Sequence, residues 1–190
     1  MADREQPKNR SFFLFQINNF AQALRIKYFI IALALLLSLF VYLFFRTEQT
    51  VVNYLFIKIW GGEPFYQSRA WVTSHVNLSN FQTYSLPEAL WILAITLLSK
   101  RYIIKIGAFN ISLWYLPLLL AFGFEFFQWM NWSKGSADLN DLWGGLLFWA
   151  LGMTVFPERE PKISLFQSFN IHALLCTGAY AVVYLAHVIN

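Results

Sequence analysis

The chain has 190 residues, of which 58% are hydrophobic, 19% aromatic and 13% charged, and its mean hydropathy is +0.48. Soluble domains average about 25% charged residues, and at this size they bury only about two-thirds of the surface that the unfolded chain exposes. The composition therefore excludes an ordinary soluble domain and a disordered chain. The single cysteine, Cys176, excludes a disulfide scaffold. We expect an all-α fold, a polytopic transmembrane helix bundle.

Residues 1–27 are expected to be a cytoplasmic N-terminal segment, partly disordered or interfacial. The first ten residues are polar, whereas residues 11–26 interleave phenylalanines with Gln and Asn. This second pattern favours either a helix lying in the headgroup region or an aromatic lead-in to the first span.

Five apolar segments follow, each near the length of about 20 residues that crosses a bilayer core. They cover approximately residues 28–45, 86–99, 109–130, 139–156 and 169–188. The second segment is short and starts beside Pro87, a residue well tolerated in a first helical turn. Residues 28–190 are accordingly expected to form a single transmembrane domain of about five spans.

The distribution of basic residues predicts the orientation of these spans. With a cytoplasmic N-terminus, ten of the 14 Lys and Arg residues flank the inner ends of the spans, and the outer side holds Arg46, Lys58, Arg69 and Lys134. Such a bias is typical of cytoplasmic loops. It accounts for the isoelectric point of about 9.2 without nucleic acid as a partner.

The connection after the first span, residues 46–85, is expected to be a long outer loop. Val51–Trp60 is apolar but only ten residues long, too short to cross, and predicts an interfacial or re-entrant piece. A polar and aromatic stretch follows it. Arg69 and His75 in this stretch are candidate counter-charges or acid/base partners for a site, or else ordinary solvated loop residues.

Four polar side chains surround the turn between the third and fourth spans. Glu125 and Gln128 are three residues apart and share a helix face, as do Asp138 and Asp141 at the start of the next helix. A short loop places both pairs at similar depth near the outer surface, and Glu88 lies at comparable depth. An ionisable residue inside a membrane indicates a functional site. The alternatives are that Asp138 caps the helix, that Asp141 serves helix-start electrostatics, and that Glu125 is structural.

Glycines and tryptophans near this turn have simpler interpretations. Gly144, Gly145 and Gly152 are expected to let the fourth span approach a neighbour closely. Trp129, Trp132 and Trp143 are expected to lie at the headgroup level.

The segment from Leu118 to Gly152 resembles the VanZ-like family of small bacterial membrane proteins. The residues that carry the resemblance are FEFFQ, a short loop, and then GSADLNDLWGGLLFWALG. Many members of the family have a basic residue shortly before the aspartate pair, a place that only Lys134 can take here. The resemblance implies a multi-pass protein of the bacterial plasma membrane, part of the cell envelope, in a family whose founding member is associated with antibiotic resistance. It implies functional positions at Glu125, Gln128, Asp138 and Asp141.

Three functions remain open at this stage. The first is binding of a lipid or other amphiphile, such as a lipid-linked envelope intermediate or a lipopeptide, at the acidic site. The second is a metal-dependent enzyme acting on a lipid-linked phosphate, since carboxylates hold divalent cations through oxygen. The third is a structural subunit or scaffold that packs against a membrane protein partner. No motif in the sequence predicts a resident metal or cofactor.

Overall fold

The computed structural model describes residues 8–47, 50–132, 137–156, 161–165 and 170–188. These residues form a mostly helical fold with a small mixed sheet. The helices are α1 (Lys8–Phe45), α2 (Val51–Trp60), α3 (Gly62–His75), α4 (Asn80–Ser99), α5 (Leu116–Trp129), α6 (Leu139–Val155) and α7 (Ile171–Val188). The strands are β1 (Tyr102–Ile106), β2 (Phe109–Ser112) and β3 (Ile163–Ser164).

The sheet corrects the expectation of an all-α fold. Strands β1 and β2 pair as an antiparallel hairpin that turns at Gly107 (φ +59°), and β3 adds to β1 in parallel. The span expected over residues 109–130 therefore begins too early, because β2 and a 3₁₀ turn at Leu113–Tyr115 precede α5. Apolar and polar residues alternate in Phe109–Ser112 (FNIS), and this alternation is typical of a strand.

Helix α4 is the central helix and packs against both α1 and α6. Four consecutive residues, Ala94 to Leu97, are at most 1% exposed, so all sides of the helix are covered there. The helix begins six residues before the expected span, because Ser79 and Gln82 form a capping box. Pro87 consequently lies inside the helix rather than in its first turn, and its carbonyl accepts a hydrogen bond from Ser38 Oγ of α1 at 3.0 Å.

Three glycines of α6 face α4, which confirms their predicted role in packing. A Cβ atom added at Gly144 would lie 3.5 Å from Ala89 Cβ, and one at Gly145 would lie 2.8 Å from Ile92 Cδ1. At Gly152 the corresponding distance to Thr96 Cγ2 is 3.0 Å. Larger side chains would hold the two helices apart, since small residues are what allow close approach.

The far end of α6 is held by a lysine from the end of α4. Lys100 is 5% exposed, and its Nζ donates to the carbonyls of Gly152 (3.0 Å), Met153 (2.8 Å) and Phe156. The last carbonyls of a helix lack partners within the helix and carry its negative dipole end. The buried ammonium therefore satisfies these carbonyls and fixes α6 beside the sheet.

The long connection after α1 is helical rather than a loop. Val51–Trp60 forms α2, capped by Thr50, and Gly61 (φ +92°) separates it from α3. The polar and aromatic stretch expected as loop forms α3, which is anchored by the fully buried Phe65. This correction has a physical reason: α3 gains its stability by packing on α1 and α2, which local composition does not reveal.

One helix of the described chain contains a segment both long and apolar enough to cross a bilayer, Gln22–Phe45 of α1. A shorter apolar stretch occurs at Ile171–Val182 of α7. A bundle of five spans is therefore not confirmed. Helix α1 also begins at Lys8, so the expected lead-in and the first span form one continuous helix; residues 1–7 lie outside the described residues.

Candidate functional site

Three of the predicted site residues meet where α4, α5 and α6 converge. Carboxylate oxygens of Glu88, Glu125 and Asp141 all lie within 4.8 Å of one another. Glu125 is 4% exposed, and the other two are half-buried. We call these three residues the acid cluster. Each comes from a different helix, so the cluster exists only when α4, α5 and α6 are packed together.

Asp138 lies beside the cluster and acts through its backbone and as a cap. Its side chain accepts a hydrogen bond from the Asn140 backbone N–H at 2.9 Å, as an N-cap of α6. Its own N–H donates to Glu125 Oε2 at 2.8 Å. The capping alternative for Asp138 is thus confirmed. Glu125 is held at the N-terminus of α6, where the helix dipole favours a negative charge.

A cation that was not among the predicted site residues lies close to the cluster. The Arg46 guanidinium carbon lies 5.2 Å from the ring centroids of both Tyr42 and Tyr84, and its charge interacts with that of Glu88. From its position directly after the first span, Arg46 is predicted only as a charge at the membrane surface. A sequence signal that could have identified Arg46 is Tyr42, one helical turn before it, because cations pack favourably on the faces of aromatic rings.

The two helices of the long connection hold the segment that carries Arg46. Arg69 Nη2 of α3 donates to the Arg46 carbonyl at 2.5 Å. Asn53 of α2 is fully buried, and its Nδ2 donates to the carbonyls of Tyr42 (3.3 Å) and Thr47 (2.8 Å). Arg69 was a candidate counter-charge or a solvated loop residue; the described hydrogen bond places it next to the segment that carries Arg46.

The remaining two predicted residues, His75 and Gln128, have no described hydrogen bond to the acid cluster. His75 is exposed at the end of α3, where its Nδ1 lies 2.8 Å from the Trp71 carbonyl and its ring packs on the Trp71 ring. The Gln128 side chain is half-buried, and among the described residues it has no hydrogen bond to the acid cluster. Lys134, the basic residue of the VanZ-like pattern, lies outside the described residues.

A cavity of about 460 Å³ opens beside the cluster, and Glu125 forms part of its wall. The wall is largely apolar and aromatic; it comprises Phe122, Glu125, Phe126, Trp129, Ala137, Asp138, Leu139 and Leu142. Small-molecule sites combine such walls with a few polar groups, in volumes of about 300–1,000 Å³. We call this space the Glu125 cavity.

The chemistry of the acid cluster follows from its charge. Three carboxylates this close repel one another, so full ionisation requires compensating positive charge. Arg46 supplies one positive charge, and a bound proton, an amine or a divalent cation can supply more. Oxygen ligands from three carboxylates are the set that Mg²⁺ and Ca²⁺ prefer in proteins.

Comparison with known proteins adds no relative. No family model matches the chain, and no match was found among curated proteins or among solved structures. The VanZ-like resemblance therefore stays a prediction based on the motif between Leu118 and Gly152.

Proposed function

We propose that this chain is a multi-pass protein of the bacterial plasma membrane that binds a lipid or another amphiphile at the acid cluster, on the outer face. The observation that carries the proposal is the Glu125 cavity, because it joins an apolar aromatic wall to a buried carboxylate. An amphiphile has both parts: an apolar portion to lie against Phe122 and Phe126, and a polar group to meet Glu125. A polar group that carries a positive charge would also relieve the repulsion within the cluster.

The dimensions and surface of the helices support membrane insertion. Helices α4, α6 and α7 have 20, 17 and 18 residues. At 1.5 Å per residue they are about 30, 25 and 27 Å long, close to the ~30 Å hydrocarbon thickness. Large apolar side chains are exposed on several helices, among them Phe29 and Leu36 of α1, Leu147 and Leu151 of α6, and Leu174 and Leu175 of α7. Apolar patches of this extent are typical of surfaces that contact lipid or a partner.

The charge distribution supports the orientation. Lys100, Arg101, Lys105 and Lys162 lie beside the sheet, where α4 and α6 end. The acid cluster lies at the opposite end, near the start of α6. Positive residues concentrate on the cytoplasmic side, so the sheet faces the cytoplasm and the acid cluster faces outward. The VanZ-like resemblance agrees with a site at this depth.

A second candidate function is favoured by the geometry of the carboxylates themselves. Their spacing within 4.8 Å suits a divalent cation, which could activate the phosphate of a lipid-linked substrate. The third candidate, a scaffold subunit, would use the acid cluster only to hold α4, α5 and α6 together.

The test compares lipids and proteins that copurify in mild detergent with three chains: wild type, Glu125→Gln and Glu63→Gln. Glu63 is an exposed acid of α3, so its variant removes the same charge away from the cavity. We expect one lipid class to be enriched on wild type and Glu63→Gln and to fall about tenfold on Glu125→Gln. An unchanged lipid set in all three chains would overturn the proposal.

Two further arms of the same experiment separate the alternatives. Turnover of an added polyprenyl phosphate that requires Mg²⁺ and is lost with a chelator would favour the enzyme. A stoichiometric protein that copurifies with wild type and Glu125→Gln alike, without an enriched lipid, would favour the scaffold.

A further inference from the structure

A second cavity, separate from the Glu125 cavity, lies along α1 and has one end at Tyr42, beside Arg46. Helices α1 and α7 both pack on α4 and leave between them a groove of about 550 Å³. Trp91 and Leu98 of α4 form part of its floor. Its walls are Tyr28, Ile31, Ala32, Leu35, Leu39 and Tyr42 of α1, Val52 of α2, and Leu174, Leu175, Gly178, Ala179 and Val182 of α7. We call it the α1–α7 groove; it shares no lining residue with the Glu125 cavity.

Both ends of the groove are bridged. At one end the Tyr28 hydroxyl lies 2.9 Å from His172 Nδ1, and the two rings stack at 5.6 Å between centroids. At the other end Tyr42 stacks on Trp91 at 5.4 Å, and Val52 of α2 closes the space. The groove is thus a bounded, elongated trough that runs along α1, the helix able to span a bilayer.

We propose that the α1–α7 groove holds one acyl chain of an anionic phospholipid, with the headgroup at the Tyr28 end. Tyr28 and Tyr42 are 14 residues apart on one helix, about 21 Å at 1.5 Å per residue. One leaflet of the hydrocarbon core is about 15 Å thick, so the trough accommodates an acyl chain along its length. The wall is almost wholly apolar, which matches a hydrocarbon chain and excludes a polar occupant.

The charges at the two ends select the headgroup. Arg25 and Lys27 lie within one helical turn of Tyr28. At the Tyr42 end, the guanidinium carbon of Arg46 lies 5.2 Å from the centroid of the Tyr42 ring, and its charge is already opposed by that of Glu88, one turn from Trp91 on α4. An anionic headgroup is therefore stabilised at the Tyr28 end, where anionic lipids attract nearby Lys and Arg. This inference requires α1 to lie in a membrane but does not require the Glu125 cavity to bind anything.

Glycines on two helices provide a matched pair of variants. A Cβ atom added at Gly178, in the groove wall, meets no atom within 4 Å, and the same holds at Gly123 of α5, which lines neither described cavity. Gly178→Leu therefore adds a side chain at the groove wall with open space around its Cβ atom, and Gly123→Leu adds the same side chain elsewhere. Ala32→Phe fills the groove from α1 and provides an independent second variant.

The experiment is native mass spectrometry of the full chain in detergent, titrated with phosphatidylglycerol or with phosphatidylcholine of the same acyl chains. Wild type and Gly123→Leu are expected to bind one phosphatidylglycerol tightly, and Gly178→Leu and Ala32→Phe about tenfold more weakly. The double variant Arg25→Gln/Lys27→Gln is expected to lose the preference for phosphatidylglycerol, by about fivefold for each cation removed.

Three results would overturn the inference. The first is equal phosphatidylglycerol affinity in wild type and in both groove-filling variants. The second is equal binding of the two lipids by wild type, which would remove the argument from charge. The third is loss of phosphatidylglycerol binding in Glu125→Gln, since that would place the bound lipid in the Glu125 cavity. Conversely, phosphatidylglycerol binding that is retained in Glu125→Gln supports lipid binding in the α1–α7 groove, even if the Glu125 cavity binds no amphiphile.

Discussion

Replacing Gly145 by alanine tests whether the close approach of α6 to α4 stabilises the fold. The new Cβ would lie 2.8 Å from Ile92 Cδ1 and 3.6 Å from Ala121 Cβ. Ile92 is 4% exposed, so its side chain has little room to move. Inserting a methyl group into such a core costs about 1–3 kcal/mol.

The same substitution has the opposite effect on the intrinsic stability of helix α6. Replacing Gly by Ala in a helix interior stabilises it by about 1 kcal/mol. We therefore expect Gly145→Ala to lower the free energy of unfolding by about 0–2 kcal/mol. Gly123→Ala is the control, because open space surrounds that position, and it should raise the free energy of unfolding by about 1 kcal/mol.

The assay is equilibrium unfolding in mixed micelles, followed by circular dichroism, of both variants and of Ile92→Val alone and combined with Gly145→Ala. Ile92→Val removes the Cδ1 atom that the new methyl group would meet. The double variant should consequently be more stable than the sum of the single effects predicts, by about 1–2 kcal/mol. The packing argument is refuted when Gly145→Ala is as stable as Gly123→Ala and the two effects at 145 and 92 simply add.

Two further substitutions probe the charges at the ends of α6 and near the acid cluster. Lys100→Met removes the donor to the last carbonyls of α6, and we expect a loss of about 1–3 kcal/mol in thermal unfolding. The exposed Lys105→Met should change stability little, and equal effects of the two would contradict the capping role. Arg46→Gln removes the positive charge that interacts with Glu88 and should destabilise the fold by about 1–2 kcal/mol. Adding Glu88→Gln should recover part of that loss, whereas strictly additive losses would show that the two charges do not interact.

Local signals in the sequence located α6 and the carboxylates. Asp138 followed by an apolar run predicted a helix at 139–156, and the structure has Leu139–Val155 with Asp138 as its cap. Glu125 and Asp141 were expected at similar depth because a short loop joins their helices. Both features depend on neighbours in sequence, and capping and hairpin geometry are local effects.

The hairpin, α3 and Arg46 were missed for a different reason. The expected third span included Phe109–Ser112, where only the alternation of apolar and polar residues indicates a strand, and the partner strand Tyr102–Ile106 is too short to stand out. Helix α3 has little amphipathic pattern and depends on Phe65 for burial against other helices. Arg46 reaches the cluster because Asn53 and Arg69 hold its segment, and contacts across such distances in sequence leave no local pattern.

Helix α6 is held at both ends by side chains of other helices, and we call these two groups of hydrogen bonds the clamps. The Glu125 carboxylate holds the N–H of its cap residue Asp138, and Lys100 holds its final carbonyls about 25 Å away. A rigid rod fixed in this way transmits displacement instead of absorbing it. A ligand that pulls Asp141 or Asp138 outward must therefore move the base of α4 and the adjoining sheet with it, or break one of the two clamps. Amide exchange along α6 would distinguish these outcomes: uniform protection indicates a rod that moves as a unit, and loss of protection at one end identifies the clamp that yields.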